Sequence, residues 1–92
     1  VSRIFVVLGS VPYEGKFPIM AFRSLPEAQA FKAKLETRRK RYEARSERFA
    51  LRMNELKHTM RFEEAYAAVG PSPREPKHNY PDYCVQEIEL HA

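Results

Sequence analysis

The chain predicts a small α+β domain, a three-stranded sheet packed by a long basic helix in the order β-β-α-(α)-β. Three observations carry that expectation. A β-branched and aromatic run opens the chain, a stretch without glycine or proline reaches from Glu27 to Val69, and an alternating segment closes it. Ninety-two residues suffice for one domain with a modest core. Hydrophobic residues at 43% and charged residues at 30% exclude global disorder.

Arg3 to Leu8 is dense in valine, isoleucine and phenylalanine and has no helical period, so it reads as a buried, central strand. Gly9 to Lys16 contains Gly9, Pro12 and Gly15 and reads as a connecting loop or wide turn. Phe17 to Arg23 reads as a second strand, with Pro18 tolerated near its start or on an edge. Residues 1–23 thus form a β-hairpin. Ser24-Leu25-Pro26-Glu27 fits a helix-opening capping box, with proline in the first turn where its missing N–H costs nothing.

The helical region spans 24–69. Ala28, Phe31 and Leu35 supply the face that packs on the sheet. Beyond Leu35 the apolar pattern thins to a line seven residues apart: Leu35, Tyr42, Phe49 and Leu56. An unbroken helix from Leu25 to Met60 is about 54 Å long at 1.5 Å per residue. Such a helix either projects beyond the sheet or bends back as a hairpin. The turn-free middle favours projection or packing against a partner; a polar break near Glu36 to Arg41 is the alternative. Phe62 to Val69 has helical composition and either continues the helix or folds back after a kink near His58 to Arg61. Gly70-Pro71 ends it, residues 70–83 form a proline-rich loop, and Cys84 to Leu90 make a strand returning to the hairpin. In that strand Cys84, Ile88 and Leu90 share one face with Gln86, and Glu87 and Glu89 take the other.

Charge is unevenly placed. The net charge of +4 divides into +7 for Lys32 to Arg61 and −3 for the remainder. Within the basic segment Arg38, Arg41, Arg45, Arg48 and Arg52 follow at intervals of three and four. On a helix they form one stripe. Guanidinium groups in a row make bidentate contacts with phosphate or carboxylate, and Tyr42 and Phe49 beside them are apolar anchors of the type favoured at binding hot spots. The competing readings are a solvated face and intrahelical pairing, such as Lys32–Glu36, Glu36–Lys40 and Arg39–Glu43, each worth about 0.2–0.5 kcal/mol.

The seven-residue line also resembles half of a coiled-coil seam. Taken with Arg38, Arg45 and Arg52 as its complement, it suits no stable parallel dimer. An antiparallel homodimer through the long helix would set Glu43 or Glu47 near the partner's arginines. The competing arrangement is a helical hairpin in which Phe49, Met53, Leu56 and Met60 cover Phe62, Tyr66 and Val69.

No motif promotes catalysis or a cofactor. Gly9 to Lys16 departs from a phosphate loop: five residues separate the glycines, Phe17 follows Lys16, and Pro12 removes a donor. His78, Cys84 and His91 lack the spacing of a structural zinc site. Pro73-Arg74-Glu75-Pro76 reads as a connecting loop before it reads as a groove ligand, and Tyr80 and Tyr83 as ties between that loop and the core. The single cysteine excludes an internal disulfide and fits a reducing compartment. The apolar start, Ile4 to Leu8, is too short for a signal or membrane segment. The expectation is a soluble, cytoplasmic protein.

The arrangement resembles small phage and prophage accessory proteins. The resemblance rests on Ile4 to Leu8, on Ala21-Phe22-Arg23-Ser24 leading into Leu25-Pro26-Glu27-Ala28-Gln29-Ala30-Phe31, and on Tyr83 to Leu90, about a third of the chain. It implies a non-enzymatic interaction protein that blocks a host enzyme or defence complex, as anti-CRISPR inhibitors do. The partner that the arginine stripe suits offers an acidic protein surface or a site that otherwise receives nucleic acid. Direct, sequence-independent nucleic-acid binding is the alternative.

Overall fold

The computed structural model describes residues 2–91. Its elements are β1 (Ser2–Val11), β2 (Gly15–Phe22), α1 (Leu25–Leu56), α2 (Phe62–Val69) and β3 (Asp82–Leu90). The sheet order is β2-β1-β3 with both pairings antiparallel, so the most apolar strand lies in the middle and the last strand returns beside the first. This is the expected α+β fold. Two compact units make up the chain: residues 1–39 with 76–92, and residues 40–75.

The first unit contains the sheet, the start of α1 and the end of the proline-rich loop. Its core joins Val7 on β1, Ala28 and Leu35 on α1, and Tyr83 at the start of β3, all almost wholly buried. Phe5, Ile19, Phe22, Phe31, Tyr80 and Val85 surround them. The Phe22 and Phe31 rings meet with centroids 5.3 Å apart, which docks the helix on β2. Ser24 accepts a hydrogen bond from the Glu27 N–H at 3.3 Å, the forward half of the capping box.

Three local features bear on the expectations, the first of them as a correction. First, Gly9 belongs to β1 and not to a loop. The strand runs on to Val11, and a tight turn at Pro12 to Glu14, closed by Glu14 N–H to Val11 C=O at 3.1 Å, leads to β2 at Gly15. Gly9 is required because the Tyr80 ring lies on its α-carbon, with no room for a Cβ.

Second, the helix-facing side of β3 is the side of its glutamates. Tyr83 and Val85 enter the core, and alternation puts Glu87 and Glu89 on that same face further along. There Arg3 meets them at 3.2 and 3.8 Å. Cys84, Gln86, Ile88 and Leu90 occupy the opposite face. Third, α1 runs through Glu36 to Arg41 without a break, as its turn-free middle favours, and is continuous to Leu56.

The loop entering β3 is tied down by tyrosine chemistry. The Tyr83 hydroxyl donates to the His78 carbonyl at 2.5 Å and accepts from the Tyr80 N–H at 3.2 Å. Tyr80 stacks on Phe17 of β2 with centroids 5.8 Å apart. The Arg39 guanidinium donates to the Pro81 carbonyl.

In the second unit the chain reverses after Leu56. Lys57, Thr59 and Met60 donate backbone hydrogen bonds to Met53 and Leu56 carbonyls, forming the turn. α2 then returns along α1: the edge of Phe49 meets Tyr66 at 6.3 Å, and Tyr66 stacks with Phe62 at 6.2 Å. The result is a helical hairpin.

Candidate functional site

A helix advances about 100° per residue, so intervals of three and four drift little around its axis. Arg38, Arg41, Arg45, Arg48 and Arg52 therefore fall within an arc of about 80° and rise about 21 Å from first to last. All five are exposed on the one continuous helix. Among the described residues, the side chains of Arg38, Arg41, Arg45 and Arg48 enter no ion pair or hydrogen bond, while that of Arg52 meets Glu55 at 3.2 Å. Lys34, four residues before Arg38 and exposed, extends the row by one turn. The same spacing rule would have found it.

Partial burial marks a second line on α1: Leu35, Arg39, Tyr42, Ser46, Phe49, Met53 and Leu56. The complement of the seven-residue line is thus Arg39, Ser46 and Met53, four residues on, and not Arg38, Arg45 and Arg52. This is a correction with a simple cause. Positions three and four from a given residue both share its face, and only the covering groups decide which side is buried. The arginine row lies on one flank of this line and Glu36, Glu43 and Glu47 on the other.

The row therefore keeps its guanidinium groups outward, while the two aromatic residues expected beside it are placed differently. Phe49 is half-buried and engaged with Tyr66. Tyr42 is half-buried. Of the expected intrahelical pairs, Lys32–Glu36 forms at 3.6 Å. The electrostatics are simple: five delocalised cations at a mean interval of about 5 Å along the axis create a linear positive field that a flat or grooved anionic surface would match.

The remaining sequence candidates do not converge. Cys84 is half-buried on β3, and the carboxylate nearest His91 is Glu89, at 4.0 Å. Among the described residues no group of three or more His, Cys, Asp or Glu side chains is placed to hold a metal ion. No helix among them is long and apolar enough to cross a membrane. No protein-family model, curated protein or solved structure matches this chain.

Proposed function

We propose that this chain acts by binding, not by catalysis, and that the arginine row of α1 docks on an acidic surface of another protein. That surface is of the kind that otherwise receives nucleic-acid phosphates. One observation carries the proposal: five outward guanidinium groups share one face of a continuous helix, and four of them have no internal counter-charge among the described residues. The helical backbone beneath the row is ordered before binding, so on meeting a complementary anionic surface the arginine side chains alone lose freedom there, and their planar forks lose less per hydrogen bond formed than a lysine would. Arg38, Arg41, Arg45, Arg48 and Arg52 supply the charge, and Tyr42 lies beside them at the rim. Phe49 contributes by holding α2. We further infer, from the resemblance to small phage accessory proteins alone, that the partner belongs to a host or defence complex.

The same exposed row supports a second reading, sequence-independent binding to nucleic acid. Neutralising five phosphates would make the logarithm of affinity fall with the logarithm of salt at a slope of about −4.5 on duplex DNA. Affinity capture from bacterial lysate, with and without nuclease, separates the two. A partner retained after nuclease supports protein recognition. Capture lost on nuclease treatment, with a salt slope near that value in gel shift, supports nucleic acid and overturns the first reading.

A further inference from the structure

Both faces of β1 are apolar. Alternation gives Phe5 and Val7 to the face that α1 covers, and Ile4, Val6 and Leu8 to the other. A near-continuous apolar run of this kind belongs to a strand covered on both sides. Among the described residues the first unit has one helical segment, and it lies on the Val7 side. Val6 and Leu8 are buried yet stand outside the cluster formed with α1. Register carries their face onto the neighbouring strands, with Ala21 beside Val6 and Ile88 beside Ile4. There Ala21 is exposed, and Ile88 and Leu90 are 36% and 45% exposed.

One row on this face carries charge of both signs. Ser10 of β1 pairs with Lys16 of β2 and with Asp82 of β3, so the three share the face at one end of the sheet. The lysine and the aspartate flank β1, about 10 Å apart, and both residues are exposed. Among the described residues Lys16 enters no ion pair. Asp82 accepts the Tyr83 N–H through Oδ1 at 2.9 Å, which leaves Oδ2 for a cation.

We propose that this face packs on the same face of a second copy, about a two-fold axis running along β1, so that β2 of each copy lies over β3 of the other. The two charges select both occupant and orientation. An axis along β1 exchanges the edges and keeps each level, so Lys16 of one copy meets Asp82 of the other, twice by symmetry. An axis across the strands keeps β2 over β2 and reverses it. That sets Lys16 against Arg23, one residue past the end of β2, and Asp82 against Leu90. The first orientation pairs every ion in the row, and the second opposes cations and leaves the carboxylate on an apolar side chain. Between the corners Ile4, Val6 and Leu8 meet their own copies across about 10 Å between sheets. Arg23 lays its alkyl stem over Ile88 and keeps its guanidinium at the rim. The face is about 14 Å wide over three strands and about 24 Å long from Ile4 to Ser10. That is small for an interface, so the dimer is weak and reversible.

Charge exchange reads the arrangement directly. Lys16→Asp alone opposes carboxylates at both corners, and Asp82→Lys alone opposes ammonium groups. Mixed in equal amounts, the two variants form a heterodimer whose corners are complementary again. Sedimentation equilibrium should show a reversible dimer for the parent chain and self-association at least about tenfold weaker for each variant alone. The mixture should return to near the parent affinity. Ala21→Glu, at an exposed position in the middle of the face, should abolish association while the thermal melt moves by only a few degrees. A parent chain that stays monomeric from micromolar to millimolar concentration overturns the proposal and leaves the face to another protein. A dimer that survives Ala21→Glu also overturns it, and a mixture no tighter than its components overturns the orientation.

Discussion

Gly9 offers the sharpest test of the fold. A Cβ added there would sit 2.6 Å from Tyr80 Cε2 and closer still to Cδ2 and Cγ. Ordinary contact needs about 3.5–4.0 Å, so the ring must retreat by more than an ångström. It has little freedom to do so, being stacked on Phe17 and edge-on to Tyr83 at 6.3 Å. Losing those two ring contacts costs about 0.5–1.5 kcal/mol each. Residual overpacking adds about 1–3 kcal/mol, and the better strand propensity of alanine returns about 0.5–1 kcal/mol. The net loss for Gly9→Ala is about 1–5 kcal/mol, a drop in Tm of about 5–40 °C for a chain of this size.

Thermal unfolding followed by circular dichroism measures it, and a double-mutant cycle isolates the cause. In a Tyr80→Ala background the same Gly9→Ala change should be neutral or mildly stabilising. Equal cost in both backgrounds, or a loss below about 0.5 kcal/mol in the parent, would refute the close ring–backbone approach.

Leu35, 2% exposed, is the last core residue of α1. Leu35→Ala should lower stability by about 2–5 kcal/mol in urea denaturation, and a neutral outcome would mean the helix does not close the core there. Tyr66→Ala removes both ring contacts that hold α2. Hydrogen exchange should then show lost protection for residues 62–69 while β1 amides keep theirs; uniform loss would contradict a hairpin docked through this ring. Ser24→Ala deletes the acceptor for the Glu27 N–H and should cost about 0.5–1 kcal/mol, with no effect expected on partner capture.

Strand order and type were legible because β1 carries the only strongly apolar β-branched run, and such a strand belongs between two others. The helix start was legible in Ser24 and Pro26; the reversal after Leu56 was one of two open readings, because apolar residues on both sides of His58 suit a continued helix and a hairpin alike. What escaped the sequence was decided by contacts distant along the chain. Gly9 read as a turn residue, yet its missing side chain serves a ring seventy-one positions later. The alternation of β3 was legible, but which of its faces turns to the helix was not: Tyr83 and Val85 enter the core, and the exposed Glu87 and Glu89 follow on that face and meet Arg3. Arg39 read as a partner for Glu43, and its bond to the Pro81 carbonyl, forty-two positions on, lay outside any helical spacing rule. The arginine row was legible in full, since exposure on a helix follows from spacing once the apolar line is known. That Phe49 turns to Tyr66 was not, because a phenylalanine at this spacing serves a partner or a neighbouring helix equally well.

The central claim is that the outward arginine row of α1 makes the binding surface. Replacing Arg41, Arg45 and Arg48 together with glutamate tests it most directly, with capture from lysate and the thermal melt measured on the same samples. These three side chains are exposed and make no internal ion pair among the described residues, so the melt should shift by only a few degrees while capture is abolished. Capture that persists at the parent level on a folded triple variant would contradict the account.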